Sequence, residues 1–393
     1  MRLRAIFATA TLTILTLVAS AQDKPELRIG SVLSLTGPAS SLGIPARNAL
    51  TLIEEQTAAD SSAPFRVKFV TYDDASDPTK AVNAVRKLIG EDRAHLVICC
   101  STTPSSMAIL ETVTQAKVPN ISLALAASVI EPAAERKWIF KTPATDRLQV
   151  SAVLDDFTKR GGKKIAFMGL EDSFGEGGWR ALEALAKERN IEIVAAERFS
   201  RNDTNFTPQA LRVKQANPDA VYFHAIPQSS VLSEIALRRV GYKGPVYQSG
   251  GSANTAYLSL GKELVEGSLV GTTAVLIYED LPDDHPLKRS IAAFAKAYEK
   301  RFNVERIDIF PGQAWDAVGL TLQAARKVLA AGVKFDDVDA TRAALRDALE
   351  TTRGYVGVVG LFDFSPTDHL GLDARSTFLA EVKQGRFRLH TAP

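Results

Sequence analysis

The chain has 393 residues, of which 47 are basic and 45 are acidic, so its formal net charge is +2. A chain of this length is expected to form two domains of ordinary size. The charge balance lacks the basic excess of a nucleic-acid-binding protein, so no nucleic-acid partner is expected.

Residues 1–21 have the three parts of a secretory signal peptide. Two arginines precede an apolar stretch from Ala5 to Val18, and the small residues Ala19-Ser20-Ala21 follow. The stretch contains four threonines and is shorter than the roughly 20 apolar residues of a membrane-spanning helix. We therefore expect cleavage between Ala21 and Gln22 and a mature protein in the periplasm. No cysteine lies near this position, so a lipid anchor is not expected.

Short strands alternate with longer helices along most of the chain. The first series has predicted strands at 27–33, 65–72, 95–100 and 119–123 and helices at 46–56, 78–89 and 105–116. The second series has helices at 149–159, 178–189, 208–215 and 230–240 and strands at 164–168, 191–195, 220–224 and 245–247. Such alternation is typical of crossover units and a mainly parallel sheet.

The remaining third adds amphipathic helices at 287–302, 313–330 and 340–350, and the segments 355–364 and 376–390 alternate like antiparallel strands. Because the same construction occurs twice, the sequence predicts an α/β fold with two similar lobes, each a mainly parallel sheet flanked by helices. No low-complexity linker separates the halves, so the hinge must consist of short, ordered crossings.

The cysteines and histidines of the sequence do not predict a metal site or a disulfide. Cys99 and Cys100 are adjacent, and neighbouring cysteines bridge only through a strained ring, which favours two small buried residues without a bridge. The histidines are scattered without ligand spacing. We expect no metal and no cofactor.

Catalysis is also not expected. The sequence has no Gly-x-Ser-x-Gly elbow, and only Gly30 follows the start of the first strand where a dinucleotide fingerprint needs several glycines. A carboxylate pair among Asp73, Asp74, Asp77 and Glu171 stays open, although Asp73 and Asp74 suit the bracing of loops better.

Four ordered blocks resemble the periplasmic leucine/isoleucine/valine-type binding proteins of ABC importers, which have the type I periplasmic-binding fold. The segment 33–38 with Gly43 is similar to the first strand and ligand loop of that family, and 72–78 is a more specific match. The segment 118–122 resembles the strand before a ligand loop, and 172–175 resembles the first loop of the second lobe.

The resemblance implies that the chain crosses between the lobes three times, near Thr142, Thr272 and Arg353. The ligand then binds between the lobes, and the permease recognises the closed form. The implied division is a first lobe of residues 24–142 and 273–352 and a second lobe of residues 143–272 and 353–393.

The run 101–106 lies where a strand ends and a helix begins, and its hydroxyls and free amides suit a carboxylate. By resemblance, Thr103 aligns with the carboxylate-binding serine of the family, and Ser106 is a second candidate. The alternative is that Thr103 or Ser105 simply caps the helix.

The segment 123–127 resembles the family's loop whose carbonyl and threonine hydroxyl hold an amino acid. Ala124, Leu125 and Ala126 are the candidate contacts. Ala126 stands at the threonine position, so an amide remains but the hydroxyl is missing.

Gly250 aligns where amino-acid-specific members place an acidic residue against the ligand's ammonium group. A buried ammonium without an anionic partner is unfavourable. This departure argues against a free α-amino acid, and some relatives without the acid bind hydrophobic carboxylates.

The other candidate contacts are mostly apolar. Leu42 and Phe174 align with pocket tyrosines, Ile226 lies near a third, and Phe310 aligns with a pocket phenylalanine. Each could instead belong to the ordinary core. His224 ends a strand at the predicted cleft, where it could donate to a ligand oxygen and titrate near neutrality, or serve only the structure.

The sequence therefore predicts an extracytoplasmic solute-binding protein of an ABC importer that captures a small hydrophobic carboxylate, such as an aromatic acid, by hinge closure. A binder of branched-chain or other aliphatic amino acids is the alternative ligand assignment. An extracytoplasmic sensor that signals to a receptor is the alternative of another class. The expected partners are the small ligand and the permease subunits, and we expect a monomer.

Overall fold

The computed structural model describes residues 24–391, so the predicted signal peptide lies outside the described residues. The strands are β1 (Glu26–Leu33), β2 (Arg66–Asp73), β3 (Leu96–Cys99), β4 (Asn120–Ser122), β5 (Ile139–Lys141), β6 (Lys164–Leu170), β7 (Glu192–Phe199), β8 (Ala220–His224), β9 (Val246–Gln248), β10 (Leu269–Thr272), β11 (Tyr355–Val356), β12 (Leu361–Phe362), β13 (Phe378–Lys383) and β14 (Arg386–Leu389).

The α-helices are α1 (Ser40–Ala59), α2 (Pro78–Gly90), α3 (Thr103–Ala108), α4 (Leu110–Gln115), α5 (Asp146–Lys159), α6 (Ser173–Glu188), α7 (Thr207–Gln215), α8 (Pro227–Arg239), α9 (Thr255–Gly261), α10 (Lys288–Phe302), α11 (Ile309–Ala330) and α12 (Val338–Glu350). None of the helices within residues 24–391 combines the length and the hydropathy needed to cross a bilayer.

The first lobe is built on a five-stranded parallel sheet in the order β2-β1-β3-β4-β5. Strand β3 is wholly apolar and completely buried, as expected for an inner strand of a sheet covered on both faces. Strand β2 at the edge is only partly buried. The loops after β1, β3 and β4 therefore leave the same edge of this sheet.

The second lobe repeats this arrangement. Its strands follow the order β14-β13-β10-β9-β8-β6-β7. Strands β6 to β10 are parallel to one another, and β13 and β14 pair in antiparallel fashion. The prediction of two similar α/β lobes is confirmed. The antiparallel pairing of the tail segment 376–390 is confirmed as well.

After β10 the chain returns to the first lobe. Arg342 on α12 donates through Nε to the carbonyl of Ala94 at 3.0 Å. Thr142, at the first crossing, donates to the carbonyl of Gln313 on α11 at 2.9 Å. Helices α11 and α12 thus cover the first sheet, as the sequence predicts.

Contacts of the tail bear on the third crossing, which the resemblance puts near Arg353. The backbone amides of Val358 and Val359 donate to the buried carboxylate of Asp316 on α11. His369 stacks on Phe140 of β5, with ring centroids 4.3 Å apart. Since β13 is the first tail strand that pairs with the second sheet, we propose that the chain crosses between 372 and 378 rather than near Arg353. Strand alternation alone does not show which sheet a segment joins.

The cysteine prediction needs a correction. Cys99 and Cys100 are completely buried, as expected, but a disulfide joins them across a cis peptide bond. The strain argument from the sequence favoured two separate thiols.

Asp73 and Asp74 brace loops, as predicted. The carboxylate of Asp73 accepts hydrogen bonds from the amides of Leu35, Thr36 and Ala75 and from the Thr36 hydroxyl. Asp74 accepts from the amide of Ser76. These bonds hold the loop after β1 against the loop after β2.

Candidate ligand-binding site

The loops at the carboxyl ends of the strands in both lobes surround a narrow cavity of about 10 Å³. Ligands of open parallel sheets bind at this edge. The wall of the cavity consists of Leu42, Ser101, Thr102, Thr103 and Leu125 from the first lobe and Phe174, Arg201, Ile226 and Gly251 from the second. Five of the predicted ligand contacts are in this wall: Leu42, Thr103, Leu125, Phe174 and Ile226.

The lobes are in contact around the cavity. The amide group of Asn254 donates to the carbonyl of Ser41 at 3.5 Å. Arg386 of the second lobe pairs with Glu305 of the first at 3.1 Å. Both contacts join residues that belong to different lobes in the implied division.

Among the predicted contacts in the wall, Thr103 has a hydroxyl that is free to hydrogen-bond to a ligand. The cap of α3 is Thr102, whose hydroxyl accepts from the amide of Ser105 at 3.4 Å, so Thr103 is not needed for capping. The hydroxyl of Ser101 is also engaged, since it accepts from the amide of Ser34 at 3.1 Å. Thr103 Oγ1 is buried and has no hydrogen-bond partner among the described residues. A buried hydroxyl in this state calls for a ligand atom or water.

Ser106 lies outside the wall, contrary to the prediction that it contacts ligand. Its hydroxyl accepts from the amide of Cys100 at 3.2 Å and lies 3.0 Å from the hydroxyl of Ser122. The amide of Ala124 donates to the same Ser122 hydroxyl at 3.1 Å. Ser106 and Ala124 therefore use their polar groups within the first lobe.

A buried lysine holds the ligand loop. Lys141 Nζ donates to the carbonyls of Leu125 and Ala126 at 2.5 and 3.3 Å. Asp146 at the start of α5 accepts from the amide of Ala127 at 3.2 Å. Burial lowers the pKa of Lys141 to about 7, and the attraction of Asp146 opposes this shift. Ala126 is thus an internal contact of the loop and not part of the cavity wall.

His224 packs against the wall without forming part of it. The centroids of the imidazole and the Phe174 ring are 4.2 Å apart, and Nδ1 of His224 is 2.8 Å from the Tyr222 hydroxyl. Nε2 has no partner within residues 24–391. Burial lowers the pKa of His224 to about 3, so the expectation of titration near neutrality is wrong. Complete desolvation disfavours the charged ring.

This pKa shift predicts a pH-dependent stability. Between pH 6.5 and 3 the unfolded chain binds a proton at His224 that the folded chain does not, so the free energy of unfolding falls as the pH falls. We expect the stability difference between the wild type and His224→Asn to be largest near pH 7 and to shrink towards pH 4 in urea unfolding experiments. A difference that stays constant with pH would contradict the shift. Over pH 6–8, His224 should contribute no pH dependence to ligand affinity.

The backbone amide of Gly250 already has a hydrogen-bond partner within the second lobe. Its amide donates to Oε1 of Gln149 at 2.7 Å, and a Cβ atom at this position would lie 2.8 Å from the Gln149 amide group. The neighbour Gly251 lines the cavity instead. A Cβ atom on Gly251 would lie 2.5 Å from the carbonyl oxygen of Ala225 and 3.1 Å from the Phe174 ring, so only glycine lets the loop approach this closely.

Phe310 is buried in the first turn of α11 but does not reach the cavity wall. The carboxylate of Asp308 caps this helix by accepting from the Phe310 amide at 3.0 Å. The ordinary-core alternative describes Phe310 better than a ligand contact.

Arg201 is the wall residue that sequence reasoning missed. It follows β7, and its Nε donates to Asp172 at 2.5 Å. The available signal is its place after the carboxyl end of a parallel strand, but β7 lies at the edge of the sheet, where a contact with the cleft is less expected. Arg201 is the single charged side chain among the wall residues within the described chain.

A larger groove, open to solvent, runs beside α1, α9 and the segment 276–280. Its wall contains none of the predicted ligand contacts. Six of its charged side chains form three ion pairs: Arg306 with Glu279, Arg386 with Glu305 and Arg388 with Asp280. The cavity at the strand ends, which holds five of the predicted contacts and the unpartnered Thr103 hydroxyl, is therefore the better candidate site.

A family model described as "Periplasmic binding protein" matches residues 26–386. The chain belongs to this family. The leucine-, isoleucine-, valine-, threonine- and alanine-binding protein of Pseudomonas aeruginosa is 25% identical over 362 residues, covering 91% of each chain. The Leu/Ile/Val-binding protein homolog 3 of Brucella melitensis is 23% identical over 347 residues, covering 88% of this chain and 89% of its own.

A solved extracellular ligand-binding receptor from Rhodopseudomonas palustris HaA2 is 33% identical, with a TM-score of 0.86 over 93% of this chain and 100% of that one. The resemblance to leucine/isoleucine/valine-type binding proteins and the type I fold are thus confirmed. Proteins of this family are substrate-binding proteins rather than enzymes and bind small molecules outside the cytoplasm. The cleavage point after Ala21 stays a prediction.

Proposed function

We propose that this periplasmic binding protein captures a small, largely apolar carboxylate and delivers it to the permease of an ABC importer. The observation that carries the proposal is the composition of the cavity wall. Leu42, Leu125, Phe174 and Ile226 supply apolar surface, and Thr103 supplies an unpartnered hydroxyl. A few polar groups in an apolar wall are typical of small-molecule sites.

The site offers no partner for an ammonium group. No aspartate or glutamate is among the wall residues within the described chain. Gly250 provides no side chain, and its amide is bound to Gln149. Asp172 lies next to the wall, but both of its oxygens accept hydrogen bonds from Arg201 or from the start of α6. Burying a ligand ammonium here would leave it without a counter-charge.

The proposed mechanism is closure of the lobes around the ligand. The ligand first binds the first lobe at Thr103 and Leu125, and Phe174, Ile226 and Gly251 of the second lobe then cover it. A ligand shifts the balance between open and closed states only by its difference in affinity for them. The contacts supplied by the second lobe therefore drive closure.

A branched-chain amino acid is the second candidate ligand. The names of the P. aeruginosa and B. melitensis relatives favour it, since both are called leucine/isoleucine/valine-binding proteins. A sensor role is the alternative in another functional class. Permease and ATPase genes beside this gene would support import.

A thermal-shift screen tests the ligand class, because a bound ligand raises the apparent stability. The screen compares hydroxybenzoates, phenylpropanoids and keto acids with leucine, isoleucine and valine. A raised Tm with the acids alone is expected. A response to leucine without any response to the acids would overturn the proposal in favour of the amino acid.

Replacement of Thr103 with valine should weaken binding of the responding acids by about tenfold or more, since a hydrogen bond to a charged group is lost. Stability should change little, because the hydroxyl has no partner in the protein. Calorimetric titration measures the affinity. Thr114→Val on α4, outside the cavity wall, is the matched control. Equal affinities for the two variants would remove Thr103 from the site.

A further inference from the structure

Arg201 brings a positive charge to an otherwise uncharged cavity wall. Its side chain is 16% exposed, and it belongs to the second lobe, whereas Thr103 belongs to the first. Both residues line the same cavity. An anionic group between them would touch both lobes at once.

The Arg201 guanidinium forms a hydrogen bond to the described part of the protein through one nitrogen only, Nε. Nε donates to Oδ2 of Asp172 at 2.5 Å, while Oδ1 of Asp172 accepts from the amides of Phe174 and Gly175 at 2.9 and 3.2 Å. Asp172 therefore caps α6 and fixes Arg201 with the same carboxylate. The terminal nitrogens of Arg201 donate to no group in the part of the chain that the structure describes. They present the paired donors that match a carboxylate.

We propose that Arg201 is the specificity-determining residue for the charge of the ligand. The carboxylate of an apolar acid binds the terminal nitrogens of Arg201 from the second lobe and the Thr103 hydroxyl from the first. This inference rests on the proposed function and names the group that recognises its ligand class. Because the two partners lie on different lobes, the acid reaches Arg201 fully only on closure, and its charge favours the closed state.

The test uses pairs of ligands that differ in charge but hardly in shape: benzoate with benzamide, and phenylpropanoate with its primary amide. Calorimetric titration compares the wild type with Arg201→Met and Arg201→Lys. Arg198→Met is the control, since Arg198 lies on β7 just before Arg201 and pairs with Glu176 at 2.6 Å outside the wall.

We expect Arg201→Met to lower affinity for the acids by about tenfold or more, with little change for the amides. Arg201→Lys, which keeps the charge but not the paired donors, should recover part of the loss. Arg198→Met should behave as the wild type. A parallel loss for acids and amides would show that Arg201 only holds α6 and would overturn the inference.

Failure of this inference differs from failure of the proposed function. If the wild type binds an acid and Arg201→Met binds it equally well, Arg201 is excluded and the proposed function stands. If the wild type binds none of the acids, both fail. Thermal unfolding of each variant confirms that it is folded, and Arg201→Lys carries the test if the methionine variant is unstable.

Discussion

Replacement of Lys141 with methionine should lower the free energy of unfolding by about 2–6 kcal/mol, because two buried carbonyls lose their donor and each buried group left unsatisfied costs about 1–3 kcal/mol. Lys141 is fully buried and donates to the carbonyls of Leu125 and Ala126. Methionine occupies comparable space but donates no hydrogen bond. Two buried carbonyls would lose their donor, and the buried carboxylate of Asp146 would lose the attraction of a nearby positive charge.

Urea unfolding measures this loss, and Lys137→Met is the control because Lys137 is exposed just before β5. Comparable stabilities for the two variants would contradict the structural role. Leu125 also lines the cavity, so we expect Lys141→Met to weaken binding of the acids at temperatures where the protein is still folded.

Replacement of Glu234 with alanine should lower the free energy of unfolding by roughly 3–5 kcal/mol. Its carboxylate is completely buried on α8. It accepts hydrogen bonds from the hydroxyls of Ser268 and Tyr257, both at 2.5 Å, and from the amide of Gln248 at 2.9 Å. Burial raises the pKa of Glu234, and these donors oppose that shift. The variant would leave three buried donors unpaired.

Glu183→Ala is the matched control, since Glu183 is exposed on α6 of the same lobe. We expect its unfolding midpoint in urea to stay near that of the wild type, while that of Glu234→Ala falls. Gln248 leads into the loop that carries Gly251, so ligand affinity should fall as well. A Glu234→Ala protein as stable as the control would show that this network contributes little.

Most long elements could be predicted because apolar periodicity runs through them. Strand β8 has the predicted bounds, and α2 differs by one residue. The missed elements β5 and β10 have only three and four residues, too few to show a period. The helix predicted at 105–116 is two helices, α3 and α4, that meet at Ile109.

Position along a strand was enough to predict which residues lie at the cavity wall, and their contact with a ligand stays a prediction. Thr103, Leu125, Phe174 and Ile226 follow strands of parallel sheets, and these strand ends meet at the cleft. Ser106 failed because its hydroxyl bonds to groups near Cys100 and Ser122. Such pairing depends on which side chain turns inward, and sequence spacing does not reveal it.

The sequence by itself determined the twin α/β lobes through periodicity and the order of elements, and the family through the resemblance of four ordered blocks, which also implied the ligand loops. Only the tertiary structure decided which polar groups remain free for a ligand. Gln149 accepts the hydrogen bond of the Gly250 amide, and Lys141 donates to the carbonyl of Leu125. Arg201 is part of the cavity wall. These are contacts between residues distant along the chain, so they exist only once the lobes have packed.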